Sequence, residues 1–245
     1  QNIEKCHLRN TSRRCIVPFI PTLKRDVVYP QSLYLDRIDS DFALQQAQWI
    51  KKHFDPYPLS TAYSKDSGRF YSNYKNYYFH KSSDIPLIQH CIKILNTHKD
   101  VFEKLYNRPM QIDWVYLAYT KDSSEEMGTD HYDSEVFWNG QFHCTIQGNA
   151  NVLVYDGGIE NVITAYTGSL WYLNSTEYIH KIKPTHGERF ELLMPNELNP
   201  KIVKLREEMI GKHGQLDHTH KNAKILERWS KQVIKHTEDG PIADQ

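Results

Sequence analysis

QFHCTIQGNANVLVYDGGIENVITAYTGSLWYLNSTEYIHKIKPTHGERFELLM, residues 141–194, is a run of short segments rich in Val, Ile, Tyr, Trp and Thr, cut at near-regular intervals by Gly and Asn. It divides into candidate strands at 141–147, 151–155, 161–166, 169–174, 178–183 and 188–194, with one more ahead of it at 110–119. β-Branched and aromatic side chains suit a pleated, half-buried surface, and Gly and Asn suit the turns between them. Short strands at this spacing predict a sandwich or barrel.

Outside that run the periodicity changes. From Asp41 to Phe54, apolar residues at Phe42, Ala43, Ala47, Trp49 and Ile50 recur at helical spacing, with Ser40 as the N-cap and Pro56 beyond the end. Residues 85–95 and 98–106 read as two helices, with Asp84 capping ahead of Pro86 and Asn96 as the break. Residues 57–81 sustain neither period and read as a long structured loop, in which tyrosines alternate with Lys65, Arg69, Lys75 and Lys81. The first 35 residues, broken by Pro18, Pro21 and Pro30, suit an extended lead-in or edge strand. Beyond Pro200 helical composition returns at 202–210 and 223–234. The fold class is α+β, organised as one domain over 1–245: a β core at about 110–195, a helical part at 36–107 and a helical extension at 199–236.

Composition narrows the function classes. Thirty basic and 30 acidic residues balance, giving no general pull toward nucleic acid or an anionic membrane. No apolar stretch reaches the roughly 20 residues that span a bilayer, and the N-terminus lacks a signal-peptide core, so a soluble, cytoplasmic protein is expected. Cys6, Cys15, Cys91 and Cys144 show no C-x-x-C spacing and read as reduced thiols. The sequons at Asn10 and Asn174 lack a secretory context.

Among 13 histidines, His131 stands out because it opens the triplet His131, Tyr132, Asp133. Strand alternation puts the first and third side chains on one face. An imidazole and a carboxylate, joined by a second imidazole from elsewhere, make the facial triad that holds Fe(II) by three positions and leaves three open. His180 is a candidate for that second imidazole: it lies on an apolar-alternating stretch, where a structural histidine would need a partner for its buried ring nitrogens, and a metal would supply one. Pro184 to Gly187 reads as a turn, and a reversal centred there sets residue 180 opposite 189. Arg189 would then offer a bidentate fork for a carboxylate beside the metal. The alternative for Arg189 is a surface pair with Glu191.

With these residues in view, the stretch from Tyr119 to Met194 resembles the aspartyl/asparaginyl β-hydroxylase-like branch of the Fe(II)/2-oxoglutarate oxygenases. The shared features are H-x-D at His131 and Asp133, F-H-x-x-I-Q from Phe142 to Gln147, G-x-x-W-Y-L-N at 168–174, His180, and Arg189 nine positions later. The resemblance covers roughly residues 110–195. It implies a double-stranded β-helix core, of jelly-roll or cupin-like form, flanked by helices. It also implies that His131, Asp133 and His180 are iron ligands, that Arg189 binds the distal carboxylate of 2-oxoglutarate, and that His143 and Tyr119 line the co-substrate pocket. The implied reaction hydroxylates an unactivated C–H of an amino acid, peptide or other small polar substrate. It uses Fe(II), O2 and 2-oxoglutarate, releases succinate and CO2, and takes ascorbate as an aid in vitro. Membrane and general nucleic-acid partners are not expected, and the oligomeric state is left open.

Two departures qualify the resemblance. Gln141 stands where the branch often has arginine ahead of Phe142 and His143, and Asp133 is present where the peptidyl hydroxylase that names the branch lacks a carboxylate ligand. Asp133 also argues against halogenation, which needs that position open. The rival readings are a cupin-like metal- or ligand-binding protein without turnover and a zinc hydrolase using the same donors.

Overall fold

The computed structural model describes residues 28–57, 74–121, 127–131, 133, 139–156, 158–183 and 187–228. Among the described residues, ten strands form two antiparallel sheets. The major sheet runs in the order β1 (Ser32–Arg37), β8 (Ser169–Leu173), β5 (Gln141–Gln147), β10 (Arg189–Pro195), β3 (Trp114–Thr120) and β2 (Tyr74–His80). The minor sheet runs β4 (Met127–His131), β9 (Ile179–Ile182), β6 (Ala150–Asp156) and β7 (Ile159–Ala165). Val152 and Val154 of β6 pack on Trp171 and Leu173 of β8 in one cluster, so the sheets face each other and enclose an interior. This is the expected double-stranded β-helix.

The major sheet's outer face carries the main core. Phe142, Cys144 and Ile146 of β5, with Phe190, Leu192 and Met194 of β10, meet α1 (Ser40–His53) and α2 (Pro86–Tyr106). Burying each large side chain contributes roughly 1.5–3 kcal/mol, which explains why this face and its two helices form one unit. Strict alternation then turns Gln141, His143, Thr145 and Arg189, Glu191, Leu193 to the interior. Polar residues at alternate positions of two central strands are the first sign that the interior has work to do.

Several local expectations are corrected. The N-cap of α1 is Asp39, whose carboxylate accepts from the Phe42 amide at 2.7 Å, and not Ser40, which already lies in the helix. Asn96 does not break α2. The stripe Leu87, Ile88, Cys91, Leu95, Phe102 and Tyr106 is buried throughout, and that packing outweighs the sub-kcal/mol cost of one asparagine. Asp84 caps nothing but pairs with His213, and Ser83 Oγ accepts from the Ile85 amide ahead of the helix. The supposed loop at 57–81 contains β2, paired along all of β3. Its Tyr77 and Phe79 are buried on the helix side, and Lys75 is exposed. Residues 58–73, with Lys65 and Arg69, lie outside the described residues, as do the first 27 residues with Cys6 and Cys15. Cys91 and Cys144 are free and buried. In the C-terminal part, α3 spans Pro200–Glu207, and residues 223–228 are helical. Among the described residues, no helix is long and apolar enough to cross a membrane.

At the start of β5, Gly140 holds φ +81°, and a Cβ there would stand 1.9 Å from the Tyr172 hydroxyl oxygen. Tyr172 is fully buried and cannot withdraw. Gly140→Ala is therefore expected to lower unfolding free energy by about 1–3 kcal/mol from the backbone alone, with the clash in addition. Urea denaturation followed by far-UV dichroism checks this; an unchanged midpoint would contradict it.

Candidate functional site

The site residues come from five strands and one loop. In the β6–β9 register Val152 stands opposite Ile182 and Val154 opposite His180, and partnered residues project to the same face. Val152, Val154 and Ile182 belong to the cluster between the sheets, so His180 faces the interior, where it is 5% exposed. Its Nδ1 lies 3.2 Å from the Tyr178 carbonyl. A carbonyl only accepts, so Nδ1 is the donor in this contact, an orienting bond of the kind that a metal-ligating histidine makes through its other nitrogen.

That Nε2 faces Asp133, whose Oδ2 stands at 4.0 Å. The Asp133 amide in turn donates to the Ser175 carbonyl at 2.9 Å and holds the carboxylate's backbone in place. His131 stands opposite His180 in the β4–β9 register. The His131 side chain lies outside the described part of the structure. Among the described side chains, no three His, Cys, Asp or Glu residues gather as a metal site. The backbone thus juxtaposes both histidine positions and the aspartate, and the donor set, two imidazoles and one carboxylate, is chemically right for Fe(II).

The hairpin expected between 180 and 189 is not formed. β9 belongs to the minor sheet and β10 to the major one, so the chain changes sheets between them and residue 180 is not the partner of 189. Residues 184–186 of the supposed turn lie outside the described residues. Arg189 nonetheless reaches the interior, because it pairs with Thr120 on the face that alternates away from the helices. It is 5% exposed, and its Nη2 donates to Glu191 Oε2 at 3.1 Å. The pair with Glu191 therefore exists, but it is buried and not on the surface.

Glu191 is the centre of a network. Its other oxygen, Oε1, accepts from His143 Nδ1 and from the Thr145 hydroxyl, each at 3.2 Å. Trp171 Nε1 donates to Thr145 Oγ1 at 3.2 Å, and the indole stacks on the His143 ring with centroids 4.4 Å apart. Burial alone would raise the Glu191 carboxyl, but the Arg189 charge and the bond from His143 outweigh it and hold it below the usual carboxylate range. Two polar atoms in this cluster, His143 Nε2 and Arg189 Nε, are buried with no hydrogen-bond partner among the described residues. Unsatisfied buried nitrogens of this kind point to a ligand that completes them.

No protein-family model matches the sequence, and no curated protein matches it. Solved structures do. A Pseudomonas putida prolyl-4-hydroxylase aligns at TM-score 0.52 and 11% identity, over 68% of this chain and 91% of that one. A prolyl hydroxylase from Trichoplax adhaerens, in complex with a hypoxia inducible factor oxygen degradation domain peptide fragment, aligns at TM-score 0.51 and 15% identity, over 68% and 80%. This chain shares the fold of these hydroxylases.

Within that fold, Tyr119 does not join the site. It pairs with Phe190 on the helix-covered face, where its hydroxyl donates to Glu188 at 2.6 Å and Lys51 Nζ sits 3.8 Å over its ring. The residues that sequence reasoning missed are Glu191 as an interior hub, Thr145 and Trp171. Thr145 and Glu191 were within reach of the alternation rule: they share a face with His143 and Arg189.

Proposed function

We propose that this chain is an Fe(II)- and 2-oxoglutarate-dependent oxygenase that hydroxylates an unactivated C–H of an amino acid, peptide or other small polar substrate, releasing succinate and CO2. The observation that carries the proposal is the meeting of His180 Nε2 with the Asp133 carboxylate, opposite His131, inside a double-stranded β-helix. The peptide held by one of the prolyl hydroxylases makes a peptide substrate reasonable. His131, Asp133 and His180 would hold iron. Iron and 2-oxoglutarate together supply the activation of O2 that C–H hydroxylation needs.

The chain's own part is placement. The Tyr178 carbonyl orients His180, the Ser175 carbonyl anchors Asp133, and the apolar wall of Val152, Val154, Trp171 and Leu173 excludes water. Arg189 Nε and His143 Nε2 would meet the co-substrate, with Glu191 fixing both side chains through the bonds it accepts.

Anaerobic addition of Fe(II) and 2-oxoglutarate is expected to produce the weak visible charge-transfer band of a bidentate 2-oxo acid. Iron demonstrably bound without the band would remove the oxygenase reading. A second reading, metal or ligand binding without turnover, is favoured by the engagement of Arg189 with Glu191. Consumption of 2-oxoglutarate under Fe(II), ascorbate and air, and none with Zn(II), separates the two.

A further inference from the structure

The major sheet has six strands and the minor sheet four, and the β3–β2 end of the major sheet is met by the C-terminal segment instead. Trp114 is fully buried there with Leu198, Ile202, Met209, Leu216 and Leu226. One step along the strands, Tyr116 and Tyr78 are partners on the interior face, with ring centroids 5.0 Å apart, and both are only partly buried. Arg206 of α3 lies over them. Its guanidinium carbon is 4.8 Å from the Tyr78 ring and 5.8 Å from that of Trp114. Tyr57 closes the group at 5.4 Å from Tyr78.

Among the described residues this cation has no carboxylate partner. No ion pair joins Arg206 to any described residue, and the groups that act on its charge are the phenols of Tyr78, Tyr57 and Tyr116. Burial pushes Arg206 below the usual arginine range, and its Nε is buried without a hydrogen-bond partner among the described residues. Stacking on aromatic faces satisfies the guanidinium plane but none of its in-plane N–H donors, and those donors match an oxyanion. The same row continues from Tyr116 through Leu193 to His143, two inter-strand spacings or about 10 Å away. The aromatic group and the co-substrate corner therefore share one wall.

We propose that Arg206, with Tyr78 and Tyr116, forms the substrate's anchoring subsite, which takes an oxyanion, carboxylate or phosphate, on a flat apolar body. As a substrate site it rests on the oxygenase reading; as an anion site it does not. The guanidinium edge binds the oxyanion, the rings stack on the body, and the far end of the ligand extends toward Asp133 and His180. This gives α3 a role in specificity.

The test uses the full chain without iron or 2-oxoglutarate, so its outcome is independent of turnover. The arginine Nε–H resonances are followed by 1H–15N NMR during titration with benzoate, phenyl phosphate and neutral benzamide, Arg206 being assigned by the signal lost in Arg206→Lys. The Arg206 signal is expected to move saturably with at least one anion and not with benzamide, and the tighter anion identifies the headgroup. Arg206→Lys, which keeps charge but loses the fork, is expected to bind that anion about tenfold more weakly, the equivalent of one charge-assisted hydrogen bond. Arg189→Lys is expected to leave the Arg206 titration unchanged. An Arg206 signal that neither anion moves, or that benzamide moves equally, overturns the proposal and leaves Arg206 as a packing residue between α3 and the sheet.

Discussion

Alanine at His180 is expected to abolish iron-dependent consumption of 2-oxoglutarate and to lower iron stoichiometry, while the fold survives. Only three protein donors are proposed, and His180 is the one whose ring the structure orients, through Nδ1 and the Tyr178 carbonyl. Losing that bond costs the fold roughly 0.5–1.5 kcal/mol, a small part of a domain's stability. His131→Ala is expected to behave alike, whereas Asp133→Ala retains some iron because both imidazoles remain. Equilibrium dialysis against Fe(II) measures binding apart from turnover. His143→Ala is the control: it faces the same interior but is not a proposed ligand, so iron stoichiometry should hold while 2-oxoglutarate affinity falls. Wild-type iron content and turnover in His180→Ala would remove this residue from the metal site.

Most of the β core was legible because its residues declare themselves locally. β5, β6, β8 and β10 carry β-branched or aromatic side chains between Gly or Asn turns, and their limits lie within a residue or two of those read from composition. β2 was hidden for a physical reason. Tyr77 and Phe79 pack on the helices, while Asn76, Tyr78 and His80 face the interior side, so both faces carry aromatic residues and the period of two vanishes. The turn between 182 and 189 was misread because turn chemistry specifies a reversal but not the sheet that receives the next strand. Here β10 crosses to the major sheet and finds β3 and β5 as partners. The spacing of His131, Asp133 and His180 marked them as candidates, and the fold brings these positions together; Arg189 reaches the interior by pairing with β3 and not through the hairpin register that set it opposite His180. Glu191 was not legible, since a carboxylate two residues from an arginine reads as a surface pair until burial is known.

That burial changes what Arg189 variants report. Removing one partner of a buried ion pair leaves an uncompensated charge and costs about 3–5 kcal/mol. Glu191→Leu is thus expected to destabilise the chain by about that amount, and Arg189→Met comparably, while the double variant regains much of the loss. The pH dependence identifies the cause. In the wild type the Glu191 carboxyl is held below its usual range, so its contribution is present at neutral pH and disappears as pH falls through that depressed value. Without the guanidinium, burial is no longer outweighed and the carboxyl moves upward, so Arg189→Met loses stability as pH rises through the new value. Urea midpoints at acid and neutral pH read this reversal directly. Arg189→Lys avoids it by keeping the charge, and so isolates the co-substrate contact. Its loss of one charge-assisted hydrogen bond, roughly 1.5–3 kcal/mol, corresponds to a KM for 2-oxoglutarate raised about 10- to 150-fold. Fe(II) affinity measured without co-substrate should stay unchanged. Pyruvate, which lacks the distal carboxylate, should be a poor co-substrate for the wild type and little worse for Arg189→Lys. A normal KM in Arg189→Lys, with the pH-dependent destabilisation of Arg189→Met intact, would assign Arg189 to holding Glu191 alone and send the distal carboxylate to His143.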